Sequence, residues 1–278
     1  MKNKILKIIS AISLMVFSFY YTNKSIDLIR HTDPIMKKIE SSKDKFEIKA
    51  TNAKIQENKI IPGTKGKKVD ENKSYSKMKK YGAYNESLTT LQSVSPIVSI
   101  SNHFDKYVVR GNESKKQISL IFKIDSSETL NLITNYLDNE KIPATLFLNE
   151  EIIDNNIEKI KKLNNYQVEL YFNKISQVDI SASSNYLHSI TGVPNKYCYT
   201  EEENDELLKI CKKYKMHTII PNLVLNKNPS KTIRDDLNNG FIISVELTSE
   251  VKKELDYIIN YIRSKGYSFQ RLDTLLQE

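Results

Sequence analysis

The residue types able to do bond-breaking chemistry are sparse in this chain, and their spacing is ill-suited to a metal site. Four histidines, His31, His103, His188 and His217, stand far apart, and no His-x3-His pair exists. A metal that makes hydroxide near neutral pH needs about three protein ligands in a fixed shell. His188 falls in an expected helix and His217 opens an expected strand, so each histidine reads as a surface or boundary residue. The other chemistry-bearing groups gather along apolar runs. Lys123 and Asp125 close one run, Glu169 and Tyr171 alternate along a second, Tyr197 and Tyr199 along a third, and Glu246 ends a fourth. Alternation puts Glu169 and Tyr171 on one face of their strand. An exported chain is able to pair Cys198 with Cys211, but Cys211 lies on the apolar face of a helix and reads as a buried free thiol.

These groups must be held by the unit from Gln117 to Asn149 and its repeats. Ile118, Leu120, Ile121, Phe122 and Ile124 form a continuous apolar run, the pattern of a strand covered on both faces. Ser127 is a candidate cap for the helix that carries Leu130, Ile133, Tyr136 and Leu137 at helical spacing. Strands are expected at Ile118–Lys123, Ala144–Leu148, Gln167–Phe172, Lys196–Tyr199, His217–Leu223, Phe241–Glu246 and Tyr267–Arg271. Helices fall between them at Glu128–Asn139, Ile152–Leu163, Ser181–Ser189, Asn204–Tyr214, Lys231–Leu237 and Ser249–Ser264. About seven β/α units in about 160 residues predict an α/β fold, a distorted (β/α)7-type barrel, and no phosphate-cradling glycine loop follows the first strand.

The 278 residues carry a formal charge of +8, divided unevenly. Residues 1–116 hold 23 Lys and Arg against 11 Asp and Glu, whereas residues 117–278 hold 19 against 23. The folded half is mildly acidic, so nucleic acid is not an expected partner. Lys2, Lys4 and Lys7 precede the apolar segment Ile8–Tyr21, and counted from Ile5 the segment has about 17 residues, the lower limit for a bilayer span. It has the flanks of a secretion signal without a small-residue cleavage site. Residues 1–21 are therefore expected to be a signal anchor, 22–75 a charged stalk, 76–116 an ordered extension packed on the barrel, and 117–278 the barrel. That arrangement predicts a single-pass cell-membrane protein with its barrel outside the cytoplasm.

The wording of the repeats resembles the polysaccharide deacetylase family, the NodB-homology domain, from Gln117 to Leu276. ISLIFKID is similar to that family's first strand, and IPATLFL to its second. NYQVELYF stands where Gly-His-Glu-Ile-Gly-Asn-His is usual. YCYTEEENDELLKICKKYKMHTII resembles the Arg-Pro-Pro-Tyr-Gly strand with its helix, and NGFIISVEL and KGYSFQRLDTLL resemble the closing strands. The resemblance implies removal of an N-acetyl group from a sugar polymer, with an aspartate base, a divalent metal held by Asp and two His, and a late histidine acid. Each such position departs here. Lys123 and Ile124 stand for the paired aspartates, Tyr171 and Ile175 for the metal histidines, Tyr197 to Glu201 for the Arg-Pro-Pro-Tyr-Gly run, and Glu246 for the acid.

The expectation is a pseudoenzyme with no catalytic residues, no metal and no cofactor. Its candidate cleft comprises Lys123, Asp125, Glu169, Tyr171, Tyr199 and Glu246, with the Lys123 ammonium in the cation's place, paired with Glu169, Glu246 or both. Tyr171, Tyr197 and Tyr199 offer stacking faces for cell-wall glycan, or else pack the barrel rim. The alternative is an active carbohydrate N-deacetylase, a hydrolase on non-peptide C–N bonds, using Asp125, Glu169 and Glu246 as a relocated carboxylate set. A third reading places the working surface on the stalk and residues 76–116.

Overall fold

The computed structural model describes residues 2–172 and 180–278, so Ile175 lies outside the described residues. In chain order, α1 (Lys2–Thr32) and α2 (Pro34–Ser42) precede β1 (Lys54–Gln56), β2 (Lys59–Ile61), β3 (Gly66–Val69), α3 (Glu71–Tyr81), β4 (Leu91–Val94) and β5 (Tyr107–Val108). Alternation then begins with β6 (Gln117–Ile124), α4 (Ser127–Glu140), β7 (Thr145–Leu148), α5 (Glu150–Asn155), α6 (Ile157–Ile160), β8 (Gln167–Leu170) and α7 (Ile180–Thr191). It continues through β9 (Tyr197–Tyr199), α8 (Asp205–Lys213), β10 (His217–Ile219), β11 (Leu223–Leu225) and α9 (Pro229–Asp236). The chain closes with β12 (Ile242–Val245), α10 (Ser249–Ser264), β13 (Ser268–Phe269) and α11 (Leu272–Leu275).

Two compact units result, Met1–Ala50 with Lys65–Val94, and Thr51–Thr64 with Ser95–Glu278. These boundaries differ from the expected stalk and extension. In the first unit Met36 and Ile39 of α2 bury against Val69 of β3 and Met78 of α3. Asp33 caps α2 by accepting from the Ile35 N–H at 2.8 Å and ion-pairs with Lys79 at 2.6 Å. Residues 34–50 and 65–75 are thus folded rather than a solvated spacer, because widely spaced apolar residues meet in one small core. Along α1 the apolar side chains of Ile9, Ile12, Leu14, Val16, Phe17 and Phe19 are exposed. Among the described residues no helix is long and apolar enough to cross a membrane.

In the second unit β11-β12-β6-β7-β8 form one parallel run, with β13 also on β6, and β1-β2-β5-β10-β9 form another sheet. Strands β6 to β13 answer to the seven expected strands, with one of the seven divided in two and the last, Tyr267–Arg271, shortened to β13, and the run is broken at two seams. Pro221, which has no N–H to give a ladder, divides the expected strand His217–Leu223 into β10 and β11, and β10 takes β5 as its neighbour. The second seam lies between β8 and β9. At the start of β12, Gly240 has φ +72, and a Cβ there would meet the Gly111 carbonyl oxygen at 2.6 Å, so this close approach requires glycine.

Strand parity sorts the core. Ile118, Leu120, Phe122 and Ile124 of β6, Leu146 and Leu148 of β7, and Ile243 and Val245 of β12 pack with the helices, including Leu130, Ile133 and Leu137 of α4. Ile121, Phe147, Tyr197, Tyr199, Ile219 and Ile242 point the other way and fill the interior with Leu272 and Leu275 of α11. Ser126, one residue earlier than expected, caps α4 by accepting from the Thr129 N–H at 3.1 Å. The Ser127 hydroxyl instead accepts from Asn156 Nδ2 at 2.7 Å.

Candidate functional site

Register brings the interior-facing side chains into rows. Ile121, Thr145 and Gln167 form one row, and Lys123, Phe147 and Glu169 the next toward the strand C-termini. The lower row is knitted by hydrogen bonds. Thr145 Oγ1 donates to Gln167 Oε1 at 3.3 Å and accepts from the Leu272 N–H at 2.9 Å, while the Asp273 N–H donates to Gln167 Oε1 at 2.8 Å. Sequence reasoning passed over Thr145 and Gln167, which carry no charge or motif; their signal is a polar residue at an inward position of an apolar strand.

Glu169 is 1% exposed. Its Oε1 accepts from Gln167 Nε2 at 2.5 Å, and its Oε2 accepts from the backbone N–H of Lys196 at 2.7 Å and of Tyr197 at 3.1 Å. Burial pushes its pKa up to about 8, outweighing these donors, which favour the charged form. Lys123 makes no salt bridge with Glu169 or Glu246, which corrects the expected pairing. Its exposed ammonium lies over the Tyr171 ring, 4.3 Å from the centroid. The reason is geometric: Phe147 occupies the place between Lys123 and Glu169 in the row, and the Glu169 oxygens are already engaged.

At the mouth, Tyr171 and Tyr199 approach with ring centroids 6.0 Å apart, and Phe147 and Tyr199 at 5.5 Å. The Tyr199 hydroxyl hydrogen-bonds Ser244 Oγ at 2.9 Å and donates to Glu201 Oε1 at 3.3 Å. Burial first, then the nearby carboxylates Glu201 and Glu246, raise the Tyr199 pKa and keep it a neutral phenol. Tyr197 is not a stacking face at the mouth: it is buried deeper and its ring lies 6.3 Å from that of His217. Asp125 is exposed and Glu246 half-buried, each without a salt-bridge partner among the described residues. The structure thus brings together Lys123, Tyr171 and Tyr199, places Glu246 beside Tyr199, and seals Glu169 beneath them.

Cys198 and Cys211 are joined in a disulfide, which corrects the reading of Cys211 as a free thiol. Cys198 faces outward from β9, and α8 packs on that face, so the apolar stripe that buries Cys211 also delivers it to its partner.

The residues at the family's metal positions do not fit a divalent ion. A lysine and an isoleucine stand for two carboxylates, Tyr171 turns its ring to an ammonium, and the neighbouring carboxylate of Glu169 is consumed by three N–H donors. Among the described residues no three His, Cys, Asp or Glu side chains gather closely enough to hold a metal, and this includes the relocated set Asp125, Glu169 and Glu246.

No protein-family model matches the chain. It is 23% identical over 274 residues to the uncharacterized protein YlxY of Bacillus subtilis (strain 168), covering 88% of this chain and 84% of that one. Among solved structures it is similar to BA3943 of Bacillus anthracis, a CE4 family pseudoenzyme, at 23% identity and TM-score 0.64, covering 88% of this chain and 96% of that one. A BA3943 mutant with restored enzymatic activity matches at the same TM-score, 0.64. The Bc1960 peptidoglycan N-acetylglucosamine deacetylase follows at 18% identity and TM-score 0.54, covering 61% of this chain and 92% of that one. The chain therefore has the mixed α/β fold of the CE4 polysaccharide deacetylases, the family its sequence resembles.

Proposed function

We propose that this chain is a non-catalytic member of the polysaccharide deacetylase family that binds envelope glycan, or a partner presenting glycan, outside the cytoplasm. One observation carries the reading: in the row where a hydrolase would grip its ion, Lys123 lies over Tyr171, Phe147 fills the centre, and Glu169 is spent on the barrel wall. The likeness to BA3943, itself a pseudoenzyme, supports it. The half-buried Tyr171 ring leaves an apolar face with a polar tip, the surface that sugars stack on, with Tyr199 packed behind it. The Cys198–Cys211 disulfide favours an oxidising compartment. The lysine-flanked apolar stretch of α1, its side chains uncovered, supports attachment at the membrane.

The test is incubation of the purified chain with chitin and peptidoglycan oligomers, with and without added zinc or cobalt, reading acetate release and oligomer binding in parallel. Binding without acetate release is the expected result. Acetate release abolished by a chelator would establish an active enzyme instead.

A further inference from the structure

The seam between β8 and β9 is closed by side chains rather than by backbone. The other neighbours around this part of the barrel, β6–β7, β7–β8, β12–β6 and β9–β10, share backbone ladders, whereas β8 ends one sheet and β9 ends the other. Three backbone N–H groups facing the seam are each taken by a side chain from the opposite side. Glu169 Oε2 of β8 accepts from Lys196 and Tyr197 at 2.7 and 3.1 Å, and Asn195 Oδ1, just before β9, accepts from Leu170 of β8 at 2.7 Å. Asn195 also donates Nδ2 to the Tyr197 carbonyl at 3.3 Å and to Met216 Sδ at 3.0 Å. Both side chains are buried, so water does not compete for these bonds. Beside this latch stand Tyr171, which follows β8, and Tyr199, the last residue of β9, and Tyr199 is tied to Ser244 of β12 rather than across the seam.

We propose that Glu169 and Asn195 are positioning residues that hold the β8–β9 seam shut, and that this seam is where the barrel opens to take a sugar ring between Tyr171 and Tyr199. A side-chain latch can rotate away while both strands keep their other ladders, which a backbone ladder cannot do. The ligand half of the inference rests on the glycan-cleft reading; the latch half does not.

Amide hydrogen exchange on the full chain tests it, comparing wild type with Glu169→Ala, Glu169→Gln and Asn195→Ala. The expected result is exchange at Lys196 and Tyr197 faster by about fivefold in Glu169→Ala, the factor that loss of a hydrogen bond to a neutral carboxyl carries. Phe122 and Leu146, in the β6–β7 region, should keep wild-type rates, and Glu169→Gln, which retains an acceptor oxygen, should sit near wild type. Asn195→Ala should speed exchange at Leu170, and it serves as the readout should Glu169→Ala fail to fold. Equal acceleration at seam and β6–β7 amides would show a merely structural role and overturn the proposal. In a second arm a chitin pentamer should alter exchange at Lys196 and Tyr197 in the wild type. Binding of the pentamer with no change there would overturn the opening at this seam, whereas absence of any binding would refute the glycan reading and leave the latch standing on the first arm.

Discussion

The Lys123 ammonium lies 4.3 Å from the centroid of the Tyr171 ring, two strands away across the row that Phe147 completes. An exposed cation over an aromatic face is worth about 0.5–1 kcal/mol. A double-mutant cycle of Lys123→Met and Tyr171→Leu, read by urea unfolding, should give a coupling of that size. Phe147→Ala should cost about 3–5 kcal/mol, because it empties a buried position. A coupling energy of several kcal/mol would mean that Lys123 is held by a buried charge instead.

Replacing Lys123 by aspartate should not create a metal site. The new carboxylate would have exposed Asp125 nearby in sequence, but Tyr171 would still occupy a ligand position, and Glu169 would remain engaged below. A tetrahedral or octahedral shell needs more donors than that. Titration calorimetry with zinc and cobalt should show no stoichiometric uptake by Lys123→Asp. Tight binding of one ion per chain would contradict this account of the site.

Glu169 sets a stability trend at neutral to alkaline pH. Its carboxyl is raised from 4.5 to about 8 by burial, so the folded chain keeps a proton that the unfolded chain has released between those values. Stability from this group is full below about 4.5, declines as pH rises through the window, and is gone above about 8. Chemical unfolding at pH 6 and pH 9 should show the wild type losing a few kcal/mol relative to Glu169→Gln, which cannot titrate. A wild type and variant with parallel profiles would refute the assignment.

His217 acts at the acid side. Its ring stacks on Phe104 at 4.4 Å, and burial lowers its pKa from 6.5 to about 4. The unfolded chain therefore binds the proton first, and stability is present above pH 6.5 and lost as pH falls toward 4. His217→Phe, keeping the stack without the ionisable nitrogen, should flatten this part of the profile. The measurement is the unfolding midpoint from pH 7 to pH 4 against wild type.

The barrel strands were legible because covered parallel strands write themselves as unbroken apolar runs, and the β6 residues Ile118 to Ile124 are the clearest case. The shared face of Glu169 and Tyr171 followed from parity alone. What lay between Lys123 and Glu169 did not, because register across β6, β7 and β8 is a tertiary property, and it inserts Phe147. The seam residue Asn195 was equally silent, since an amide in a turn looks the same whether it closes a barrel or faces water. The small unit built on Met36, Ile39, Val69 and Met78 was hidden by the lysines and glutamates around those residues. Its core draws from one strand and two helices, each giving only one or two buried apolar side chains.

The Cys198–Cys211 disulfide ties β9 to α8. It closes a loop of 13 residues that spans the α8 turn back onto β9. Restricting the unfolded chain over a loop of that length stabilises by about 3 kcal/mol in the loop-entropy picture. Both cysteines are 0% exposed, so a reductant cannot reach the sulfurs until the region opens. Native protein should therefore resist mild reduction, and the Cys198→Ser/Cys211→Ser variant, which lacks the bond, should be less stable than wild type by about that much. Because β9 also carries Tyr197 and Tyr199, loosening its outer face should speed amide exchange at the β8–β9 seam before it affects β6 and β7. Alkylation of either cysteine in the folded, unreduced chain would show that the bond is not formed, and would remove its support for an oxidising compartment.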